Sequence, residues 1–124
     1  MSQHEELHID LTTAKDGKTL VFALSGSLDI ATSPSVRAAL SDASDGKHDV
    51  VVDLTLLEFL DSTGLGAMIG AHRRATENGG SLRLVVKDGP ILRLLNITGL
   101  IRVLAVYHTM DDALTDRNRV ASTL

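Results

Sequence analysis

The chain has 124 residues, 44% hydrophobic and 23% charged, which suits one globular domain with one core and excludes a disordered or fibrous chain. Twelve Lys+Arg against sixteen Asp+Glu leave a net charge of −4, and aromatic residues are only 2%. The clustered cations and stacking platforms that nucleic acid requires are therefore missing. Cysteine is absent, which removes disulfides, thiolate zinc sites and cysteine nucleophiles together.

In chain order, Ile9 and Leu11 alternate with polar neighbours, Asp16-Gly17 marks a turn, and residues 19–28 again read as strand, so the chain opens with a hairpin. Ser33 supplies an N-cap and Pro34 the first helical position. Val36, Ala39, Leu40 and Ala43 then share one helical face until Gly46 closes the segment. Residues 49–54, DVVVDL, suit a strand buried on both faces. Asp61-Ser62-Thr63-Gly64 precedes Leu65, Met68, Ile69 and His72 at helical spacing, and Asn78-Gly79-Gly80 ends that helix. Residues 81–86 form a strand, Gly89-Pro90 starts a short helix that stops near Gly99, and residues 101–107 form the last strand. Thr109-Met110-Asp111-Asp112 reads as a capping box, with Asp in the Glu position, opening a terminal helix.

This order predicts an α/β fold: a mixed sheet with helices packed on it. A single domain over 1–124 is expected, with its core at about 7–117 and short flexible tails. The acidic N-terminus has no apolar run, and the apolar stretch at 91–107 is broken by Arg93, Asn96, Thr98 and Arg102. Neither a signal peptide nor a membrane span is expected, which points to the cytoplasm.

Several motifs fail their own chemistry. His4-Glu5-Glu6-Leu7-His8 fits H-E-x-x-H, but it runs directly into a strand pattern, lacks a third ligand, and the remaining histidines stand alone. No metal or cofactor is expected. Gly64-Leu65-Gly66-Ala67-Met68-Ile69-Gly70 looks like a phosphate loop, yet Ile69 stands where the third dinucleotide-binding glycine belongs and the Walker lysine is missing. Small residues at Gly66, Ala67 and Gly70 are better read as allowing close helix–sheet packing.

Asp61-Ser62-Thr63-Gly64 carries the most information. Locally it is an N-cap followed by a turn-tolerant glycine. A nucleophilic serine would require G-x-S-x-G, and Leu60 occupies the first glycine position; nor do His72 or His108 offer an oriented base. A third reading makes Ser62 a phosphate acceptor at a helix start. The added phosphate carries about −1.5 to −2 charges. It would stand beside Asp61 and near Asp29. Two unit charges 6 Å apart at an effective dielectric near 20 repel by about 2.8 kcal/mol. Half of that still weakens a docking partner about tenfold.

Gly26-Ser27-Leu28-Asp29, Val51-Val52-Asp53-Leu54, Phe59-Leu60-Asp61-Ser62-Thr63-Gly64-Leu65, Gly79-Gly80-Ser81-Leu82-Arg83-Leu84 and residues 94–100 together resemble the STAS domain, in its stand-alone bacterial branch of anti-sigma factor antagonists. The resemblance spans about residues 7–117. It implies a four- to five-stranded mixed sheet with helices mainly on one side, and a partner-switching role in transcription of the kind used in stress response and sporulation. In that role the unphosphorylated protein binds an anti-sigma factor with ATP-dependent serine kinase activity, so that the sigma factor is released. Phosphorylation then inactivates it, and a metal-dependent serine phosphatase restores it. The resemblance places the acceptor at Ser62, with Thr63 the second choice. It has Asp61 position or polarise the hydroxyl, Thr63 and Gly64 shape the helix start, and Asp29 border the docking surface. The protein itself would be no enzyme, and a monomer or weak dimer. Two other uses are a STAS subunit of a lipid-transport ABC complex or stress-signalling scaffold without a phosphoswitch, and a receiver domain phosphorylated on Asp53. Against the receiver stand the opening hairpin, the missing acidic pair after the first strand, and Asp88 rather than Pro after Lys87.

Overall fold

The computed structural model describes residues 6–44 and 48–124. Strand β1 (His8–Thr13) runs antiparallel to β2 (Leu20–Leu28), with Leu11 opposite Phe22 and Thr13 opposite Leu20. Asp16 builds the turn between them. Its carboxylate accepts from the Thr19 hydroxyl (2.6 Å) and from the amides of Thr19 and Lys18 (each 2.8 Å). These bonds, the hydroxyl first, hold its pKa down at about 2.

Helix α1 (Ser33–Ser44), β3 (Asp49–Leu60), α2 (Ser62–Glu77), β4 (Ser81–Val85), α3 (Pro90–Ile97), β5 (Ala105–Tyr107) and α4 (Met110–Thr115) follow. The strands form one five-stranded sheet in the order β1-β2-β3-β4-β5, parallel from β2 onward. Each parallel step crosses over through a helix, the usual form of such a connection. The mixed sheet and its helices therefore match the expected α/β architecture.

The three valines of β3 explain how the layers close. Val50 and Val52 face a large core with Leu40 of α1, Met68 of α2 and Leu95 of α3, while Val51 faces a smaller one with Val21, Val85, Tyr107 and Ala113 of α4. All three valines are buried. Three helices thus cover one face and α4 the other. The tip of α4 is tied down by the Tyr107 hydroxyl, which donates to Asp116, and by the Arg83 guanidinium, which donates to the Ala113 carbonyl at 2.8 Å.

Four details differ from expectation. Strand β3 does not stop at Leu54 but continues to Leu60, because two register shifts against β2, between Ala23 and Ser25 and between Gly26 and Ser27, insert extra β3 residues and break the alternation. The last strand begins only at Ala105, since Leu100–Arg102 winds into a short 3-10 turn after Gly99, whose φ is 77°. Thr109 caps α4 by accepting from the Asp112 amide (3.1 Å), but the Asp112 carboxylate accepts from Asn118 (3.1 Å) instead of completing the capping box. Finally, the segment after Arg117, expected as a loose tail, bonds to the body through Val120 N–H to the Val106 carbonyl (2.8 Å) and Thr123 N–H to Asn96 (2.9 Å). Gly46, His4 and Glu5 lie outside the described residues. His8 opens a strand, which cannot present the H-E-x-x-H pair on one helix face.

Candidate functional site

The extra length of β3 carries the chain to the end of β2, where Asp61 N–H donates to the Leu28 carbonyl at 3.2 Å. Asp61 is the N-cap of α2, with extended backbone at φ −106° and ψ −173°. Its Oδ1 accepts from the Thr63 hydroxyl (2.5 Å), the Thr63 amide (2.9 Å) and the Gly64 amide (3.1 Å). The Thr63 hydroxyl does most to hold the Asp61 carboxyl below its usual range; the amides of Gly64, Thr63 and Ile30 add to this, against an opposing effect of burial.

That geometry corrects one expectation. Asp61 makes no hydrogen bond to the Ser62 hydroxyl that would polarise it: its Oδ1 turns inward to the helix amides, so of the two expected roles the geometry leaves it that of positioning Ser62 by capping the helix that Ser62 begins. Ser62 is exposed, and among the described residues its hydroxyl has no hydrogen-bond partner. Thr63 is half-buried, and its hydroxyl is used twice: it donates to Asp61 and accepts from Ser33 at 3.3 Å. Ser33 is 3% exposed at the start of α1, so this pair joins the starts of the two helices.

Gly64 is buried for a steric reason. A Cβ there would lie 2.5 Å from Leu60 Cδ1, 2.8 Å from Leu28 Cγ and 3.0 Å from the Leu28 carbonyl oxygen. Close packing of α2 thus rests on Gly64 and the buried Ala67, Ala71 and Ala75. Gly66 and Gly70, expected to share that role, have room for a Cβ, whose nearest neighbours would be Arg37 Nη2 at 3.6 Å and Arg74 Nη1 at 3.5 Å.

Across the joint, Asp29 builds the β2–α1 turn. Its Oδ1 accepts from the amides of Ala31 (3.0 Å) and Thr32 (3.1 Å). The structure thus brings Asp29, Asp61, Ser62, Thr63 and Gly64 to one corner, where β2 and β3 end and α1 and α2 begin. Sequence reasoning passed over three apolar residues nearby on β3 and the β2–α1 turn: Ile30, 76% exposed, Leu56, 69%, and Phe59, 36%. An isoleucine inside the polar turn Asp29-Ile30-Ala31-Thr32 was the available signal. Of the three, Phe59 borders a depression of about 260 Å³ that is also lined by Glu58, Leu60, Pro90, Ile91 and Leu94.

The remaining chemistry falls away on geometry. His72 lies ten residues along α2 from Ser62, about 15 Å by helical rise, too far for a base. His108 does have an acid near it, contrary to expectation: Asp88 lies 3.8 Å from its Nε2, while its Nδ1 contacts the Val86 carbonyl at 3.0 Å. Among the described residues, however, no hydrogen bond joins His108 to Ser62. Asp53 sits within β3, not at its end, and its carboxylate accepts from the amide (3.0 Å) and hydroxyl (2.7 Å) of Thr55. Among the described residues no group of His, Asp or Glu could hold a metal, and no helix is long and apolar enough to cross a membrane.

The family model of the STAS domain matches residues 10–113. An anti-sigma F factor antagonist from Paenibacillus polymyxa is 33% identical over 99 residues, covering 78% of this chain and 85% of that protein. An anti-sigma-B factor antagonist from Bacillus subtilis is 28% identical over 94 residues, covering 76% and 86%. Among solved structures, an anti-sigma factor antagonist from Mycobacterium paratuberculosis superposes with a TM-score of 0.81 at 26% identity, over 90% of this chain and 93% of that one.

Proposed function

The chain belongs to the STAS domain family, and from that premise we propose that it is an anti-sigma factor antagonist switched by phosphorylation of Ser62. The unmodified protein binds an anti-sigma factor and so frees the sigma factor; a phosphate on Ser62 ends that binding. The observation that carries this reading is the contrast between two adjacent hydroxyls. Ser62 is exposed and unbonded among the described residues, whereas Thr63 is held between Asp61 and Ser33. Modifying Thr63 would remove the hydroxyl's bond to the capping Asp61 and disturb the α1–α2 joint. Modifying Ser62 does neither.

The anti-sigma factor is the kinase in this scheme. Oγ of Ser62 attacks the γ-phosphorus of ATP, the Oγ–P bond forms, the bond to the bridging oxygen breaks and ADP leaves. Since no described side chain of this protein hydrogen-bonds that hydroxyl, the kinase supplies the base that takes its proton. Ile30, Leu56 and Phe59 form the apolar part of the docking surface, with Asp29 and Asp61 at the same corner. There the phosphate meets like charge and uncovers no new surface, so release needs no change of fold. A metal-dependent serine phosphatase resets the protein, which acts as a regulator and catalyses nothing itself.

The test mixes the full chain with a kinase-type anti-sigma factor and ATP and maps the phosphate by mass spectrometry. Modification at Ser62 is expected. Phosphate at Thr63 alone, or no complex and no phosphate, would overturn the assignment.

A further inference from the structure

Resting on Ser62 as the acceptor, we propose that Arg37 of α1 is the clamp that holds the phosphate once it is on the protein. Arg37 Nη2 lies 3.6 Å from where a Cβ of Gly66 would be, and among the described residues it is the one atom within 4 Å of that point beyond the backbone of α2 and the residues flanking Gly66. Gly66 is one helical turn after Ser62. Positions four apart stand one above the other on a helix, about 5–6 Å between Cβ atoms, and each Cα–Cβ bond tilts toward the N-terminus. The space the glycine leaves therefore opens toward Ser62, and the Arg37 guanidinium borders it at contact distance. Nη2 is no more than about 10 Å from the Ser62 Cβ. The Ser62 Cβ tilts toward the helix start in the same way, so the gap closes when the Oγ–P and P–O bonds turn toward α1 and the exposed Arg37 changes rotamer to meet them.

Two further facts single out this arginine. Among the described residues Arg37 has no hydrogen bond or ion pair, so no described group competes for it. Ser33 donates to Thr63 at 3.3 Å, and Arg37 is one turn beyond Ser33, so the joint between the helices keeps Arg37 alongside α2. A guanidinium binds phosphate through two parallel N–H donors. The charged groups around the modified Ser62 are then Asp61 on its own turn and Asp29 on the β2–α1 turn, both repelling, and Arg37, attracting. The clamp turns the phosphate toward α1 and stabilises the modified form. Arg37 is thus a positioning residue for the switched-off state.

The test installs phosphoserine at position 62 of the full chain by codon suppression, with no kinase involved, and follows the phosphate by ³¹P NMR from pH 4 to 8. A free phosphoserine titrates near about 6. At low ionic strength its midpoint should lie about half a unit lower in the native sequence than in Arg37→Gln, with Arg37→Lys between them, and the difference should shrink in high salt. Equal midpoints in the native and Arg37→Gln phosphoproteins would overturn the clamp. Because Arg37 is exposed, Arg37→Gln should fold, and matching circular dichroism melts of the unmodified proteins check this. The clamp and the function fail by different readings: equal midpoints overturn the clamp and leave the switch standing, whereas failure of the kinase to modify Ser62 overturns the switch and shows in phosphate mapping, not in the midpoints.

Discussion

Two glycines on α2 make opposite forecasts at the scale of the single residue. Gly64→Ala drives a methyl into Leu60, Leu28 and a backbone oxygen, and should cost about 1–3 kcal/mol in urea denaturation. Gly66→Ala meets only Arg37 at an ordinary contact distance, and should be neutral or add up to about 1 kcal/mol. Asp61→Ala loses the cap and should cost about 1 kcal/mol at neutral pH. Because the Asp61 pKa is depressed in the folded state, its stabilisation is complete above the ordinary value of 3.8 and is lost as pH falls through the lower folded value. An acid titration of stability should therefore show a shallower decline in Asp61→Ala than in the native chain. An unchanged acid limb would show that the cap contributes nothing through its charge.

Between elements, the joint of α1 and α2 is the feature to perturb. Thr63→Val removes the hydroxyl shared by Asp61 and the buried Ser33, and should cost about 1–2 kcal/mol while leaving Ser62 open to phosphorylation. Urea melts and phosphate mapping on one variant check both halves. This joint also marks how far the sequence could be read. Strong local signals held: the Asp16-Gly17 turn, the valines of β3, the apolar stripe of α1, and Asp61 before Thr63 and Gly64. Features set by non-local partners did not. The second half of β3 is held in place by bulged pairing with β2, which leaves no periodicity to detect. Gly64, Gly66 and Gly70 are alike in sequence; only Leu28 and Leu60, arriving from other elements, make the first indispensable. Likewise the pairing of Ser33 with Thr63 spans thirty positions and has no local trace.

Across the whole molecule, the fold gathers two strand ends and two helix starts at one corner, where Asp29, Ser33, Asp61 and Thr63 are hydrogen-bonded and, among the described residues, the Ser62 hydroxyl is not. Under the proposed switch, a phosphate on Ser62 therefore leaves the domain's own bonds in place and acts on what docks. Ser62→Ala should bind the anti-sigma factor as tightly as the native chain and resist release by ATP. The central claim is tested most directly by calorimetry of one anti-sigma factor against the full chain with serine or phosphoserine at position 62. At least tenfold weaker binding of the phosphorylated chain is expected, with unchanged melting of its fold, and equal affinities would contradict the account.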